Sequence, residues 1–320
     1  MRRQFLTALA LSLGLAAGLP AQAAEYPNKP IDMVVPFPAG TGTDMGARLL
    51  AHHLQTALGQ TVVVNNRPGA GGAIGAMEVV RAAPDGYTLL FASNSPAAAN
   101  VALFKSIPYD PATDLTPIAG VAESALVLMV PAEHPAQNLE EFLEYVAQRP
   151  GKVSAGYGSA SSQVSIELLN KMAGLDVLAV PYKGITNALN DTIGGIVDFT
   201  FVDMGNAMAQ ADGGKLRALG VTSPKVSTLR PEWAPLSERF PGFDVSAWLA
   251  IFGPAGMPAD VVAKLGENIG DIIQTPELRE RLAFSGLQPM VMSAQELGEF
   301  VQTEIAHWQQ MVRDANIEPQ

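Results

Sequence analysis

The 320-residue chain has no cysteine. That excludes a disulfide framework and a lipid-bearing cysteine of the kind that tethers exported proteins to a membrane. Histidine is scarce. Of the four, His52 and His53 are adjacent on a helical pattern and so point to different faces, while His134 and His307 lie in unrelated segments. No H-E-x-x-H pair, G-x-S-x-G elbow or S-x-x-K run occurs, so neither metal-assisted nor nucleophilic catalysis has an evident home. Lysine is missing between Lys29 and Lys105, which removes the phosphate loop of nucleoside-triphosphate-binding proteins from the first half of the chain. Positive charge is short overall: 20 Lys and Arg against 31 Asp and Glu give a formal charge of −11. A field of that sign disfavours nucleic acid and anionic membrane as partners.

Long apolar runs are also missing. The segment from Phe5 to Leu19 is broken by Thr7, Ser12 and two glycines. It falls short of the roughly 18 apolar residues a membrane-spanning helix needs. Preceded by Arg2-Arg3 and followed by Ala21-Gln22-Ala23, it reads as a cleaved secretory signal over residues 1–23, with the paired arginines also fitting twin-arginine export. Cleavage removes two positive charges and no negative ones, leaving 18 − 31 = −13. An exported, cysteine-free, unlipidated chain is expected in the bacterial periplasm. Hydrophobic residues make up 48% of the sequence, enough for a sizeable core, and the length suits two domains.

What is present alternates. "IDMVVPF", "TVVVNN" and "YTLLFAS" are strand-like and are separated by helical stretches, the signature of βαβ units. A second series starts at "ALVLMV" (125–130) and ends near "LRALGVTS" (216–223). After "VSAWLAIFGPAGMP" the pattern is helical only, over 258–273, 276–285 and 293–315, and helices without new strands must pack on a sheet already built. The chain is therefore expected to cross twice between two α/β lobes: 24–123 with 248–320, and 124–247.

Several strand ends run into helix starts rich in glycine and hydroxyl groups. In "VVPFPAGTGTDMGARLL" (34–50), Gly40 and Gly42 let the backbone turn amides toward a ligand, and Thr43 or Asp44 is placed to cap the helix. Free amides at a helix start form an anion site. The spacing is one residue off the dinucleotide fingerprint, so a carboxylate suits this loop better than a nucleotide phosphate. "AGYGSASSQVSIELL" repeats the arrangement with Ser159, Ser161 and Ser162. Ser93, Asn94 and Asp203 also follow strand-like runs, where ligands sit in open α/β sheets. Asp203 would repel a second carboxylate nearby and attract an ammonium or hydroxyl. Arg48 is expected to pair with Asp44, Arg67 and Lys183 to lie in solvated turns, and Trp248 to pack at the crossing between lobes.

The segments "YPNKPIDMVVPFPAGTGTD", "LGQTVVVNNRPGAGGAIGA", "APDGYTLL", "IPYDPATDLTPIA", "VPYKGITNALNDTIGGIVDF" and "GPAGMP", in this order, resemble the Bug family, the extracytoplasmic solute-binding proteins of tripartite tricarboxylate transporters. The resemblance spans the whole mature chain. It implies an α/β, two-lobe periplasmic-binding-protein fold, type II-like, that closes on an organic carboxylate: a di- or tricarboxylate, an amino-acid-like or an aromatic acid. It implies delivery to the membrane permease subunits of such a transporter, with no cofactor, no metal and no enzymatic step, by a monomer. Mapped onto this chain, the family's site falls on Phe37, Gly40, Thr41, Thr43 and Asp44, on Ser159 to Gln163, and on Asp203. The family's proline-proline-glycine-glycine run is here Pro38-Ala39-Gly40-Thr41, and two frequent histidines are Gln163 and Ala179. Those departures prevent copying a ligand from any relative. A secreted serine esterase acting through Ser159 or Ser161, or a receptor feeding a membrane sensor kinase, are the alternatives.

Overall fold

The computed structural model describes residues 26–224, 226–227 and 229–319. The signal segment read over residues 1–23 lies outside them.

The strands and helices alternate as expected through β1 (Ile31–Val35), α1 (Gly42–Leu58), β2 (Val62–Asn66), α2 (Ala73–Val80) and β3 (Thr88–Ser93). A π-helical turn at Ser95–Ala99 and the short α3 (Asn100–Leu103) lead to β4 (Leu115–Pro131). The second series comprises α4 (Leu139–Ala147), β5 (Val153–Tyr157), α5 (Ala160–Ala173), β6 (Val177–Pro181), α6 (Ile185–Ile193), β7 (Phe199–Asp203), α7 (Met204–Asp212) and β8 (Leu216–Val221). Strand β9 (Ser246–Pro254), α8 (Ala259–Gln274), α9 (Pro276–Phe284), β10 (Gln288–Met292) and α10 (Ala294–Asp314) complete the described chain.

β4 belongs to both sheets. Its first part, Leu115 to Ala125, runs antiparallel to β9, while Leu126 to Pro131 pairs with β7 and β8. One sheet is ordered β2-β1-β3-β9-β4 with β10 on β4, and the other β4-β7-β5-β6 with β8 on β4. Pairing within β1, β2 and β3, and of β5 with β6 and β7, is parallel, as βαβ units require. The β4–β9 ladder shifts register at Pro117/Ala119 and Gly120/Ala122, bulges that re-aim the strand before it enters the second sheet.

Two expectations are corrected here. Strand β4 begins at Leu115, ten residues before the run that sequence alone marks, because β9 supplies backbone partners to a stretch containing Pro117 and Gly120. The region after β9 is not purely helical: β10 pairs antiparallel with β4, Gln288 opposite Glu123 and Met292 opposite Gly120. Five residues including Pro289 carry too little β-propensity to announce a strand, so the edge of β4 decides it.

Helix α1 shows how local sequence positions the site. Thr41 is extended (φ −75°, ψ 159°), and its Oγ1 accepts from the Asp44 amide at 3.2 Å. This corrects the expectation that Thr43 or Asp44 is the cap: both already lie inside the first turn. Gly59 ends the helix in the left-handed region (φ 65°). Ala47, Leu50, Ala51 and Leu54 form the buried face, packed with Phe91, Leu249 and Leu265. Each buried leucine contributes about 1.5 to 3 kcal/mol, which fixes the helix and hence its N-terminus against the first sheet. Trp248 is buried, packs edge-on against Phe300 at 5.2 Å and donates from Nε1 to Glu304 Oε2 at 2.7 Å.

Candidate functional site

The loops at the C-terminal ends of β1, β3, β5 and β7 meet around a cavity of about 60 Å³ between the sheets. From the first lobe come Phe37, Thr41, Gly42, Thr43, Ser93 and Asn94; from the second come Gly158, Ser159, Ser161, Ile185 and Asp203. Strands β4 and β9 close the wall with Ser124, Leu126, Ala247 and Leu249, and Leu287 completes it.

The N-termini of α1 and α5 both face this space. At α5, Ser159 caps the helix: its Oγ accepts from the Ser162 amide at 3.2 Å, while Ser162 Oγ accepts from the amides of Gly158 and Ser159 at 3.1 Å each. These bonds hold the hydroxyls rigidly at the start of the helix. Contacts then tie the lobes together across the cavity. Asn94 Nδ2 donates to Ser161 Oγ at 2.9 Å, the Ala160 amide donates to Ser95 Oγ at 3.1 Å, and Asn206 Nδ2 donates to the Gly40 carbonyl at 3.2 Å. Gly184 sits so close to Pro38 that a Cβ there would lie 2.6 Å from the proline Cδ. Ser124, almost buried, donates to the Gly286 carbonyl at 3.0 Å where β4 passes between lobes.

Two carboxylates differ in their setting. Asp44 is buried behind the first loop; burial pushes its carboxyl up, but bonds from Arg48, the Gly40 amide and Asn66, with the charge of Arg48, together hold it below the usual carboxylate range. Its Oδ2 receives the Gly40 amide at 2.9 Å, and its Oδ1 receives Asn66 Nδ2 at 2.9 Å and lies 3.0 Å from Arg48 Nη2. Asp203 caps α7, with Oδ1 accepting from the Asn206 amide at 3.1 Å and Oδ2 from Asn206 Nδ2 at 2.9 Å. Enclosure pushes its carboxyl above the ordinary value against the opposing effect of bonds from Asn206 and from the Gly42 amide across the cleft.

Of the residues singled out in the sequence, Phe37, Thr41, Thr43, Ser93, Asn94, Ser159, Ser161 and Asp203 line the cavity. Gly40, Asp44, Ser162 and Gln163 stand behind it. Gly40 makes the left-handed turn (φ 81°), Asp44 locks that turn, Ser162 completes the cap, and Gln163 lies one position further along the helix. Arg48 pairs with Asp44, and Arg67 with Glu78 on the surface. Sequence reasoning missed Ser124, Leu126, Ile185, Ala247, Leu249 and Leu287, which carry no motif. Gly42 and Gly158 lie inside the glycine-rich stretches and could have been included. Among the described residues no histidine or lysine lines the cavity, so neither supplies a base to activate a serine there. Among the described residues no cluster of potential metal ligands occurs, and no helix is long and apolar enough to cross a membrane.

An α/β chain whose two lobes enclose a cavity at their strand ends, with one strand shared between their sheets, is a two-lobe periplasmic binding protein of type II-like fold. The profile described as "Tripartite tricarboxylate transporter family receptor" matches residues 46–317, and the chain belongs to that family. It is similar to Protein BugT of Bordetella pertussis, 36% identical over 305 residues that make up 94% of this chain and 93% of that one. Among solved structures it is similar to the periplasmic binding protein BugD, with 33% identity, a TM-score of 0.88, and 92% of this chain and 100% of that chain covered. It is also similar to MatC from Rhodopseudomonas palustris with bound malate, at 32% identity and a TM-score of 0.84, covering 90% of this chain and 100% of that one.

Proposed function

We propose that this protein is a periplasmic receptor that binds one small organic carboxylate in the cavity and hands it to the membrane subunits of a tripartite tricarboxylate transporter. The observation that carries this reading is the convergence of two helix N-termini, α1 and α5, on one enclosed space. The second amide of each helix, Thr43 and Ser161, belongs to a first turn whose N–H groups lack intrahelical acceptors. These amides, with the Thr43 and Ser159 hydroxyls, are the donors assigned to the ligand carboxylate. The chain is strongly acidic, so local preorganised donors must overcome an unfavourable global field. Charge-assisted bonds contribute about 1.5 to 3 kcal/mol each, and three or four supply the roughly 8 kcal/mol of micromolar capture after closing costs. MatC, a relative with bound malate, supports a carboxylate as the ligand class.

In this reading the lobes are 24–123 with 248–320 and 124–247, and the hinge is formed by β4 and β9. Export through a cleaved N-terminal signal delivers the monomer to the periplasm. Phe37, Thr41, Thr43, Ser93, Asn94, Ser159 and Ser161 contact the ligand or its waters, while Gly40, Asp44, Ser162 and Gln163 hold those contacts in place. Calorimetry of the mature protein against a broad panel of organic acids tests the proposal, together with mass spectrometry of ligand retained through purification. Heat from at least one carboxylate, lost on substituting Thr43, is expected. Silence across the panel, with a sugar or cation found in the cavity, would overturn it.

A further inference from the structure

Among the described residues, those lining the cavity include one ionisable group, Asp203, and no arginine, lysine or histidine. Beyond the hydroxyls, the Asn94 amide already bonded to Ser161 and the glycine backbone, the wall is apolar: Phe37, Leu126, Ile185, Ala247, Leu249 and Leu287. The space is small, about 60 Å³, whereas the open groove between α8 and β10 measures about 930 Å³. We infer that the ligand is a compact monocarboxylate with an apolar body, and that Asp203 is the residue that excludes a second carboxylate. This rests on the receptor reading above and narrows it.

The first carboxylate of a ligand has the amides and hydroxyls of the two helix starts. A second, at the far end of a short chain, has two places to go. Against the apolar wall it loses water and gains no donor, which is costly for any charged group. Near Asp203 it meets a second carboxyl in an enclosed site, where like charges are screened far less than in water, so the two cannot both be ionised without cost. The donors around Asp203 are moreover already engaged. The Asn206 amide and side chain bond its carboxylate at 3.1 and 2.9 Å, and the Gly42 amide, the first of α1, is directed to it from the opposite lobe. A Cβ on Gly42 would lie 3.2 Å from the Asp203 Cγ, so the internal carboxylate sits directly against that helix start. Asp203 thus fills one anion position itself and leaves a single one for the ligand.

The test is calorimetry of the mature protein near neutral pH with butanoate and 2-methylpropanoate as monoacids and succinate and malate as diacids, repeated on Asp203→Asn. Asparagine is as good a helix cap as aspartate, so α7 is expected to persist, which circular dichroism checks. If that variant folds poorly, Asp203→Ser removes the charge, keeps a good helix cap and must give the same result. The wild type is expected to bind the monoacids at least roughly tenfold more tightly than the diacids, and the variant to shrink that ratio by on the order of tenfold, mainly through tighter diacid binding. Diacids that match or exceed monoacids on the wild type would overturn the inference while leaving the receptor reading intact. So would a ratio that Asp203→Asn leaves unchanged. Binding of no carboxylate at all would remove the receptor reading and this inference with it.

Discussion

Asn94 and Ser161, 67 positions apart in the chain, meet across the cleft with Asn94 Nδ2 donating to Ser161 Oγ at 2.9 Å. Asn94 follows β3 of the first lobe and is almost fully buried; Ser161 lies in the first turn of α5 in the second. The pair therefore exists only when the lobes are together, and it lies in the wall of the cavity. A neutral bond of this kind contributes about 0.5 to 1.5 kcal/mol net. Asn94→Ala is expected to shift the ligand-free protein toward an open form and to weaken binding several-fold. Small-angle scattering checks the first effect and calorimetry the second; an unchanged radius of gyration together with unchanged affinity would refute it.

Thr43 is the second residue of α1, with its side chain at the cavity and its backbone in the helix. Thr43→Val keeps the shape and removes the hydroxyl. Ligand affinity is expected to fall about tenfold, the equivalent of one charge-assisted bond of roughly 1.4 kcal/mol or more, while the melting temperature of the free protein stays close to wild type. Calorimetry and a thermal melt run in parallel separate the two readouts.

Gly184 precedes α6 in an extended conformation that any residue adopts (φ −173°), so only space restricts it. A methyl group there would meet the Pro38 ring at 2.6 Å across the cleft. Gly184→Ala is accordingly expected to oppose closure more than folding: weaker binding with a small change in the denaturant midpoint. A large loss of stability with intact affinity would contradict this.

The two aspartates give opposite dependences of stability on pH. For Asp44 the bonds from Arg48, Gly40 and Asn66 outweigh burial and place the folded pKa below the unfolded value of about 3.9. Its contribution is present above that value and is lost as pH falls through the folded one, so Asp44→Asn flattens the acid limb of the stability profile. Arg48 is half exposed, which limits its share through solvent screening. For Asp203 enclosure raises the folded pKa, so its contribution is fully present below the unfolded value and is lost as pH rises through the folded one. Asp203→Asn is expected to raise stability at neutral pH and to lose that advantage in acid. Thermal melts of both variants between strongly acidic and neutral buffers check the two signs.

The alternation of strand-like and helical segments was readable because each βαβ unit repeats the same local pattern, and the glycine and hydroxyl residues at Gly40–Thr43 and Ser159–Ser162 marked the helix starts by their own chemistry. The N-terminal half of β4 and the whole of β10 were hidden, because each forms on a neighbouring strand and not on its own propensity. The apolar wall was hidden for a related reason: Leu126, Leu249 and Leu287 look like any core leucine until the lobes are brought together. Asp203 was legible as an acid after a strand, but not as the only ionisable group that lines the cavity among the described residues.

The sequence by itself determined the fold class, the family and the character of the helix starts, since periodicity and cap chemistry act over a few residues. Tertiary structure alone decided which of those starts face each other, how little space lies between them and which charge stands inside it. Those are distances between segments far apart in the chain, set by two sheets sharing β4.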